Sequence, residues 1–330
     1  MTARTLTRLI KADTAAPGIA ADCLRAGGLV AFPTETVYGL GADAADGAAI
    51  ARLYLAKGRP SFNPLIAHVA DIAAARRLAV FDADSERLAR SFWPGPLTLV
   101  LPKAPACPVA PLATAGLDTI AVRVPNSGIA QAILRAFGGP IVAPSANLSG
   151  HVSPTTAAHV RADLDGRIDL IVDGGPTPVG MESAIVGCGG DGPVLLRPGG
   201  IAREAIEQVL GRPLRQPPDD AAEAPAAPGM LASHYAPAAR LRLAAKEVRP
   251  GEALLAFGAG TVRGAQAAVA VLNLSPAGDL VEAAANLFAH LRALDRPGVA
   301  GIAVMPIPHE GLGEAINDRL ARAAAPKDNG

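Results

Sequence analysis

Nine polar residues set at the ends of apolar runs are the ones that could do chemistry in this chain. They are Thr34, Lys57, Arg59, His68, Arg123, Ser145, Asn147, Ser183 and Arg197. Four of them are cationic at neutral pH, in a chain whose formal net charge is zero. Cations with hydroxyls are what a polyphosphate and a carboxylate require, because ammonium and guanidinium donors neutralise anionic oxygens. Each residue also has a plainer reading. Arg123 alternates with apolar neighbours in IAVRVP and suits the wet face of a strand. His68 in LIAHV suits a satisfied core histidine, and Arg197-Pro198-Gly199 suits a turn that ends a strand.

Other catalytic signatures are missing. There is no G-x-x-x-x-G-K-[ST] phosphate loop and no H-E-x-x-H, and Ser145 does not sit in G-x-S-x-G. Gly258-Ala259-Gly260 follows a strand-like run, but the third glycine falls at Gly264, one position late for a dinucleotide fingerprint. The histidines show no ligand spacing, and Cys23, Cys107 and Cys188 lie far apart, which argues against a zinc site and against a disulfide framework.

The elements that must position the nine residues alternate along the chain. Leu29–Phe32 reads as a buried strand that stops at Pro33, which cannot donate to a sheet ladder. The stretch Thr34, Glu35, Thr36, Tyr38, Gly39 and Gly41 then reads as an irregular loop. Its hydroxyls either cap a following helix or face a ligand at a strand's carboxyl end. Helices are expected over 16–26, 48–56, 128–137, 155–164 and 203–210, with two more between 70 and 93. Ser153-Pro154 is expected as the N-cap and first residue of the 155–164 helix. Strands are expected at 65–69, 97–102, 120–125, 140–143, 168–175, 183–187 and 194–199. Several strands follow one another without a helix, which predicts a mixed α/β sheet. Residues 212–239 carry Pro213, Pro217, Pro218, Pro225, Pro228 and Pro237 and read as a linker. It is long enough to be functional or disordered. Beyond it, strands and helices over 240–330 make a second, smaller α/β unit, so the boundaries are 1–211, 212–239 and 240–330.

Composition narrows the partners. The chain has 330 residues, half of them hydrophobic but only 3% aromatic. Zero net charge and scarce aromatics provide poorly for backbone neutralisation and base stacking, which speaks against a nucleic-acid-binding module. No apolar run reaches the length of a membrane span and no secretory leader is evident, so a soluble cytoplasmic protein is expected, with no membrane partner.

The motifs taken together resemble a known family. FPTETVYGLG, the K-G-R of Lys57–Arg59, NPLIAHV, FWPGPLTLVL, GLDTIAVRVP and PSANLSG occur in the order and spacing of the threonylcarbamoyl-AMP synthase family, with its YrdC-like domain. SPT, IVDGG, GMESAIV and LLRPGGI continue the match, and PGMLASHYAP resembles the linker of the long, two-domain form. The resemblance implies a twisted mixed-sheet YrdC-like domain with a large open cavity, joined to a small Rossmann-like domain. It implies synthesis of threonylcarbamoyl-adenylate from L-threonine, bicarbonate and ATP with release of pyrophosphate. A partner transferase would then modify the adenosine beside the anticodon of certain transfer RNAs, and a weak contact with the transfer RNA itself is compatible with this.

Carried over residue by residue, the resemblance places Lys57, Arg59, Asn63, Thr119, Ser145, Asn147, Ser153, Arg197 and Tyr235 at the nucleotide, with Lys57 and Arg59 catalytic. It places Thr34, His68, Arg123, Ala143 and Ser183 at threonine. Magnesium is implied with ATP, with no protein ligand named. The chain departs from the family's Glu-Ser-Thr at Glu182-Ser183-Ala184, and Leu231-Ala232-Ser233 replaces basic residues common before His-Tyr-Ala-Pro. The rival readings are a non-enzymatic RNA-binding protein of the same fold and a carbamoyl-transferring maturation factor. The accessory modules of the latter are missing here.

Overall fold

The computed structural model describes residues 6–217 and 235–325. The motifs Pro228-Gly229-Met230 and Leu231-Ala232-Ser233, and His234, lie outside the described residues. In chain order the first unit runs β1 (Arg8–Lys11), α1 (Ala16–Arg25), β2 (Val30–Pro33), β3 (Tyr38–Asp43), α2 (Gly47–Lys57), β4 (Ile66–His68), α3 (Ile72–Leu78) and α4 (Ala83–Phe92). It continues with β5 (Leu97–Pro102), β6 (Thr119–Arg123), α5 (Gly128–Phe137), β7 (Ile141–Val142), α6 (Ala157–Leu164), β8 (Leu170–Asp173), β9 (Ala184–Gly187), β10 (Val194–Arg197) and α7 (Arg203–Leu210).

These strands form one ten-stranded sheet in the order β1-β8-β2-β3-β7-β4-β6-β5-β9-β10. It is mixed, as expected: β4 pairs in parallel with β6 and antiparallel with β7, and β5 pairs in parallel with β9 and antiparallel with β6. One face is covered by α1 and α5, packing Leu24, Ile133 and Leu134 on Phe32 and Val172. The other carries Leu53, Leu78, Leu88, Leu164 and Ile206 from α2, α3, α4, α6 and α7.

Two local expectations differ from the structure. Residues 34–41 are not an irregular loop. β3 returns antiparallel to β2 in the register Val30↔Gly41, Ala31↔Leu40 and Phe32↔Gly39, so Thr34–Val37 is the turn of a hairpin. Gly41 is required there, since a Cβ would stand 2.7 Å from the Phe32 ring. Likewise, Ser153 does not cap the helix after it: Thr156 does, its side chain accepting from His159 N–H, and Ser153 is turned to another use described below.

The second unit comprises β11 (Arg240–Arg242), β12 (Glu252–Ala256), β13 (Val271–Asn273), α8 (Leu280–Leu294), β14 (Gly301–Val304) and α9 (Gly313–Ala324). Its four-stranded sheet, β11-β14-β12-β13, is parallel throughout. That is the Rossmann-like arrangement expected, with α8 crossing over from β13 to β14. The core of this unit is not closed off from the first. Val37, Val152 and Met181 pack into the same apolar cluster as Leu287, Phe288, Leu291 and Ile316. Among the described residues, no helix is long and apolar enough to cross a membrane.

Candidate active site

Three strands of the large sheet end in polar side chains that point to one place. His68 and Arg123 close the parallel strands β4 and β6 as register partners, and Arg197 closes β10. Ala143 and Ser145 follow β7, and Ser183 precedes β9. These residues, with Arg59 and Tyr235, form the walls of a single cavity. Ligand sites at the carboxyl ends of strands are the general rule for open α/β sheets.

Helix α2 divides two neighbouring cations between wall and foundation. Asp46 caps its start by accepting from Ala48 and Ala49 N–H, and Gly58, at φ 59°, stops it after Lys57. Arg59, one residue past that stop, reaches the cavity, held by Nε and Nη2 to the Asn63 and Pro64 carbonyls at 3.4 and 3.1 Å. Burial pushes its guanidinium down to about 10, with Arg197 acting in the same direction against the Tyr54 and Tyr235 hydroxyls. Lys57 turns the other way. Its Nζ donates to the Ser145 and Asn147 carbonyls, both at 2.6 Å, beneath the Pro144–Gly150 loop. Burial first, and Arg59 second, push the Lys57 ammonium well below its ordinary range. Lys57 thus pins the loop that carries Ser145 rather than lining the cavity.

Other sequence-predicted residues also stand behind the wall. Thr34 Oγ donates to the Val37 carbonyl at 2.7 Å and accepts from Thr36 and Val37 N–H, capping its own turn. Thr36, 2.8 Å from it through the hydroxyls, is the residue of that turn in the wall. Asn147 Nδ2 donates to the Leu148 and His151 carbonyls. Asn63 offers its carbonyl to Tyr54 and Arg59. Thr119 opens β6, at the opposite end from Arg123. Ser153 Oγ donates to Glu182, a wall residue that is buried.

The chemistry of the wall follows from its partners. Arg123 donates through Nε to the Gly95 carbonyl at 3.3 Å, and its Nη2 lies 2.7 Å from Glu35 Oε1. The Glu35 contact is a charge pair without hydrogen-bond geometry: Arg123 Nη2 and both Glu35 oxygens are buried with no hydrogen-bond partner among the described residues. Arg197 donates twice to the Ser183 carbonyl and once to Ser183 Oγ. That hydroxyl also shares a 2.7 Å bond with Thr98. Gly199 seals the contact, because a Cβ there would stand 2.3 Å from the Ser183–Ala184 peptide.

His68 Nδ1 lies 3.1 Å from the Ile66 carbonyl, which can only accept, so Nδ1 carries the ring proton and Nε2 the lone pair. Burial, reinforced by Arg123, pushes this histidine down to about 3. It is therefore neutral at physiological pH, with Nε2 as a hydrogen-bond acceptor.

The His68 shift carries a sign. Between pH 6.5 and about 3 the unfolded chain binds a proton that the native site refuses, so stability falls as pH falls through that window. The expected share is about 1.4 kcal/mol per pH unit, and His68→Gln should remove it. Urea unfolding at pH 7 and pH 5 measures this; an unchanged pH slope in the variant would assign the proton uptake elsewhere.

Sequence reasoning passed over Glu182, Thr98 and, above all, Arg319 of α9. Arg319 is the largest fully buried side chain of the described residues, and its Nε lies 2.9 Å from Glu182 Oε2. The signal was readable: Ala315, Ile316, Arg319, Leu320 and Ala323 form the buried face of an amphipathic helix, and a charge on that face needs a partner.

Comparison with known proteins matches this architecture from end to end. Residues 22–199 match a family described as telomere recombination, and residues 201–325 match the C-terminal domain of threonylcarbamoyl-AMP synthase. A Bacillus subtilis threonylcarbamoyl-AMP synthase is 45% identical over 92% of each chain, and one from Pyrococcus abyssi is 44% identical over 93% of each. The crystal structure of P. abyssi Sua5 complexed with L-threonine superposes with a TM-score of 0.87 at 41% identity, over 97% of this chain and 98% of that one. E. coli YciO, at 26% identity and a TM-score of 0.54, covers 59% of this chain and 96% of its own. With both family models matched and relatives aligned over nine-tenths of its length, the chain belongs to the two-domain threonylcarbamoyl-AMP synthase family.

Proposed function

We propose that this chain joins L-threonine, bicarbonate and ATP into threonylcarbamoyl-AMP with release of pyrophosphate, and that the cavity at the ends of β4, β6 and β10 is where it does so. The observation that carries the reading is the set of guanidiniums of Arg59, Arg123 and Arg197 in one wall with His68, Ser145 and Ser183. Threonine as a substrate is supported by the P. abyssi relative, which was crystallised with it.

Two bonds must form. The threonine amine condenses with bicarbonate to give a carbamate and water. A carbamate oxygen then attacks the α-phosphorus, and the bond to the bridging oxygen breaks as pyrophosphate leaves. Neither step needs a covalent nucleophile, so the protein's part is alignment and stabilisation of growing charge. Arg59 and Arg197 face the phosphates in this reading, and the Arg123 guanidinium takes the threonine carboxylate. Glu35 and Glu182, the carboxylates nearest the cavity, are engaged by Arg123 and Arg319. Among the described residues, no cluster of His, Cys, Asp or Glu is arranged to hold a metal ion. In this reading magnesium would travel on the phosphates. The adenylate would pass to a transferase that modifies transfer RNA in the cytoplasm. Pyrophosphate release requiring both threonine and bicarbonate is the test; release without either would sink the reading.

Tyr235 closes the cavity from the linker side in the same proposal. Its ring stacks on Phe288, centroids 5.5 Å apart, and Ala236 N–H bonds the Gly150 carbonyl of the Ser145 loop at 2.8 Å. Tyr235→Ala is expected to lower synthesis by roughly 10- to 100-fold and to let more adenylate hydrolyse before transfer. Normal synthesis with normal product retention would leave Tyr235 a packing residue between the two units.

A further inference from the structure

Arg319 reaches the cavity from the far unit. It projects from α9 with no exposed surface, and each of the three nitrogens of its guanidinium makes a hydrogen bond. Nε bonds Glu182 Oε2 at 2.9 Å, Nη1 bonds Asp318 Oδ2 at 2.6 Å, and Nη2 bonds the Pro198 carbonyl at 2.9 Å. Its central carbon stands 5.1 Å from the centre of the Tyr235 ring, which also stacks on Phe288. All but the Asp318 contact, which stays on α9, lead to the cavity. Glu182 and Tyr235 are in its wall, Pro198 follows Arg197, and the second oxygen of Glu182 accepts from Ser153 Oγ.

We infer that Arg319 is a positioning residue of the active site, supplied by the second unit, which sets the nucleotide side of the cavity by fixing Glu182, Tyr235 and the Arg197–Pro198 corner together. The inference rests on the proposed function for its readout and on this geometry for its substance.

The charges agree with it. Burial alone would raise the Glu182 carboxyl, but Arg319 and Arg197 outweigh that and hold it below its ordinary value. A glutamate fixed as an anion between two arginines and Ser153 cannot swing toward a bound phosphate, which it would repel. The threonine side has anchors that do not run through Arg319, since Ser183 Oγ shares a bond with Thr98 and Arg123 donates to the Gly95 carbonyl, both within the first unit. A simple docking contact exists for comparison on the same helix. Glu314, in the first turn of α9, pairs with Arg203 of α7 away from the cavity.

The test compares Arg319→Met with Glu314→Gln in the full chain, at temperatures where circular dichroism shows both folded. In Arg319→Met, kcat/KM for ATP should fall on the order of 10- to 100-fold, the scale on which misplacement of aligned groups acts. Threonine affinity should stay close to that of the unsubstituted protein. Glu314→Gln should leave both substrates unaffected. Arg319→Lys keeps the charge but cannot make all three contacts, and should fall between; it carries the same expectation if Arg319→Met does not fold. Calorimetric binding of a non-hydrolysable ATP analogue adds a readout independent of turnover. An absence of threonine- and bicarbonate-dependent pyrophosphate release in the unsubstituted protein would defeat the proposed function, whereas analogue binding would still test Arg319. Unchanged ATP kinetics and analogue affinity in the folded variant, equal losses for ATP and threonine, or losses matched by Glu314→Gln would each overturn the inference.

Discussion

Arg59→Ala should lower the rate of pyrophosphate release on the order of 10²–10³-fold while leaving the fold intact, the effect expected when one donor to a developing charge is removed. Arg59 is half-buried in the cavity wall and is anchored there by two carbonyls, not by a carboxylate. Arg197 lies close enough to push its guanidinium down, yet at about 10 it remains charged at neutral pH. Two neighbouring guanidiniums that repel each other are a poor choice for stability and a good one for an anion with charge on several oxygens. Removing Arg59 should therefore leave the melting temperature unchanged or raise it, as happens where a site carries charge for function. Threonine binding without nucleotide should be nearly unaltered. Lys57→Ala should lose activity by another route: the Ser145 and Asn147 carbonyls lose their buried donor, so the melting temperature falls together with the rate. An Arg59→Ala protein that melts early and binds threonine poorly would mean that Arg59 holds the fold and not the phosphates.

The contrast between these neighbours shows where the sequence was legible. Helices with a local stop signal were readable almost to the residue. Gly58, Gly138 and Gly211 all end their helices in the left-handed conformation, and α5 and α7 fall where periodicity placed them. The hairpin of β2 and β3 was not readable. YGLGAD has no period-two alternation and carries two glycines, features that argue against a strand. It is a strand because β2 and β7 lie on either side of it, with Ala42 paired to Val142 far along the chain. Ser153 misled for a related reason. A serine before a proline is a good local cap, but its hydroxyl found a buried carboxylate from residue 182 instead.

The site itself divided along the same line. Residues that close strands, His68, Arg123 and Arg197, were identifiable because the sheet brings strand ends together whatever their separation in sequence. Which residue of a turn or loop faces inward was not. Thr34 and Thr36 are two apart in one turn, and only the three-dimensional turn sends Thr36 to the wall and Thr34 back to its own backbone. The second unit's contribution was the hardest to see, since Arg319 meets Glu182 across 137 positions.

Discrimination against 2-aminobutyrate should exceed discrimination against serine by a wide margin. The reason lies in which polar atoms the threonine side of the cavity leaves to be satisfied. Thr36 Oγ, Ser183 Oγ and the lone-pair nitrogen of His68 belong to buried residues; the two hydroxyls already make a hydrogen bond inside the protein, and the His68 ring is held through its other nitrogen. An amino acid with a hydroxyl can complete that set, whereas 2-aminobutyrate leaves part of it dry and unpaired. A site built to bond a hydroxyl rejects the analogue lacking it by up to ~10⁴-fold, while a missing methyl group is worth only ~10–200-fold. Serine keeps the hydroxyl and loses the methyl, so it should be the better of the two wrong substrates. Comparing kcat/KM for threonine, serine and 2-aminobutyrate at saturating ATP and bicarbonate measures the order directly. Ser183→Ala should narrow the gap, because Arg197 and Thr98 would then no longer orient a hydroxyl toward the ligand. If 2-aminobutyrate were turned over as well as serine, the methyl pocket and not the hydroxyl set would govern selectivity.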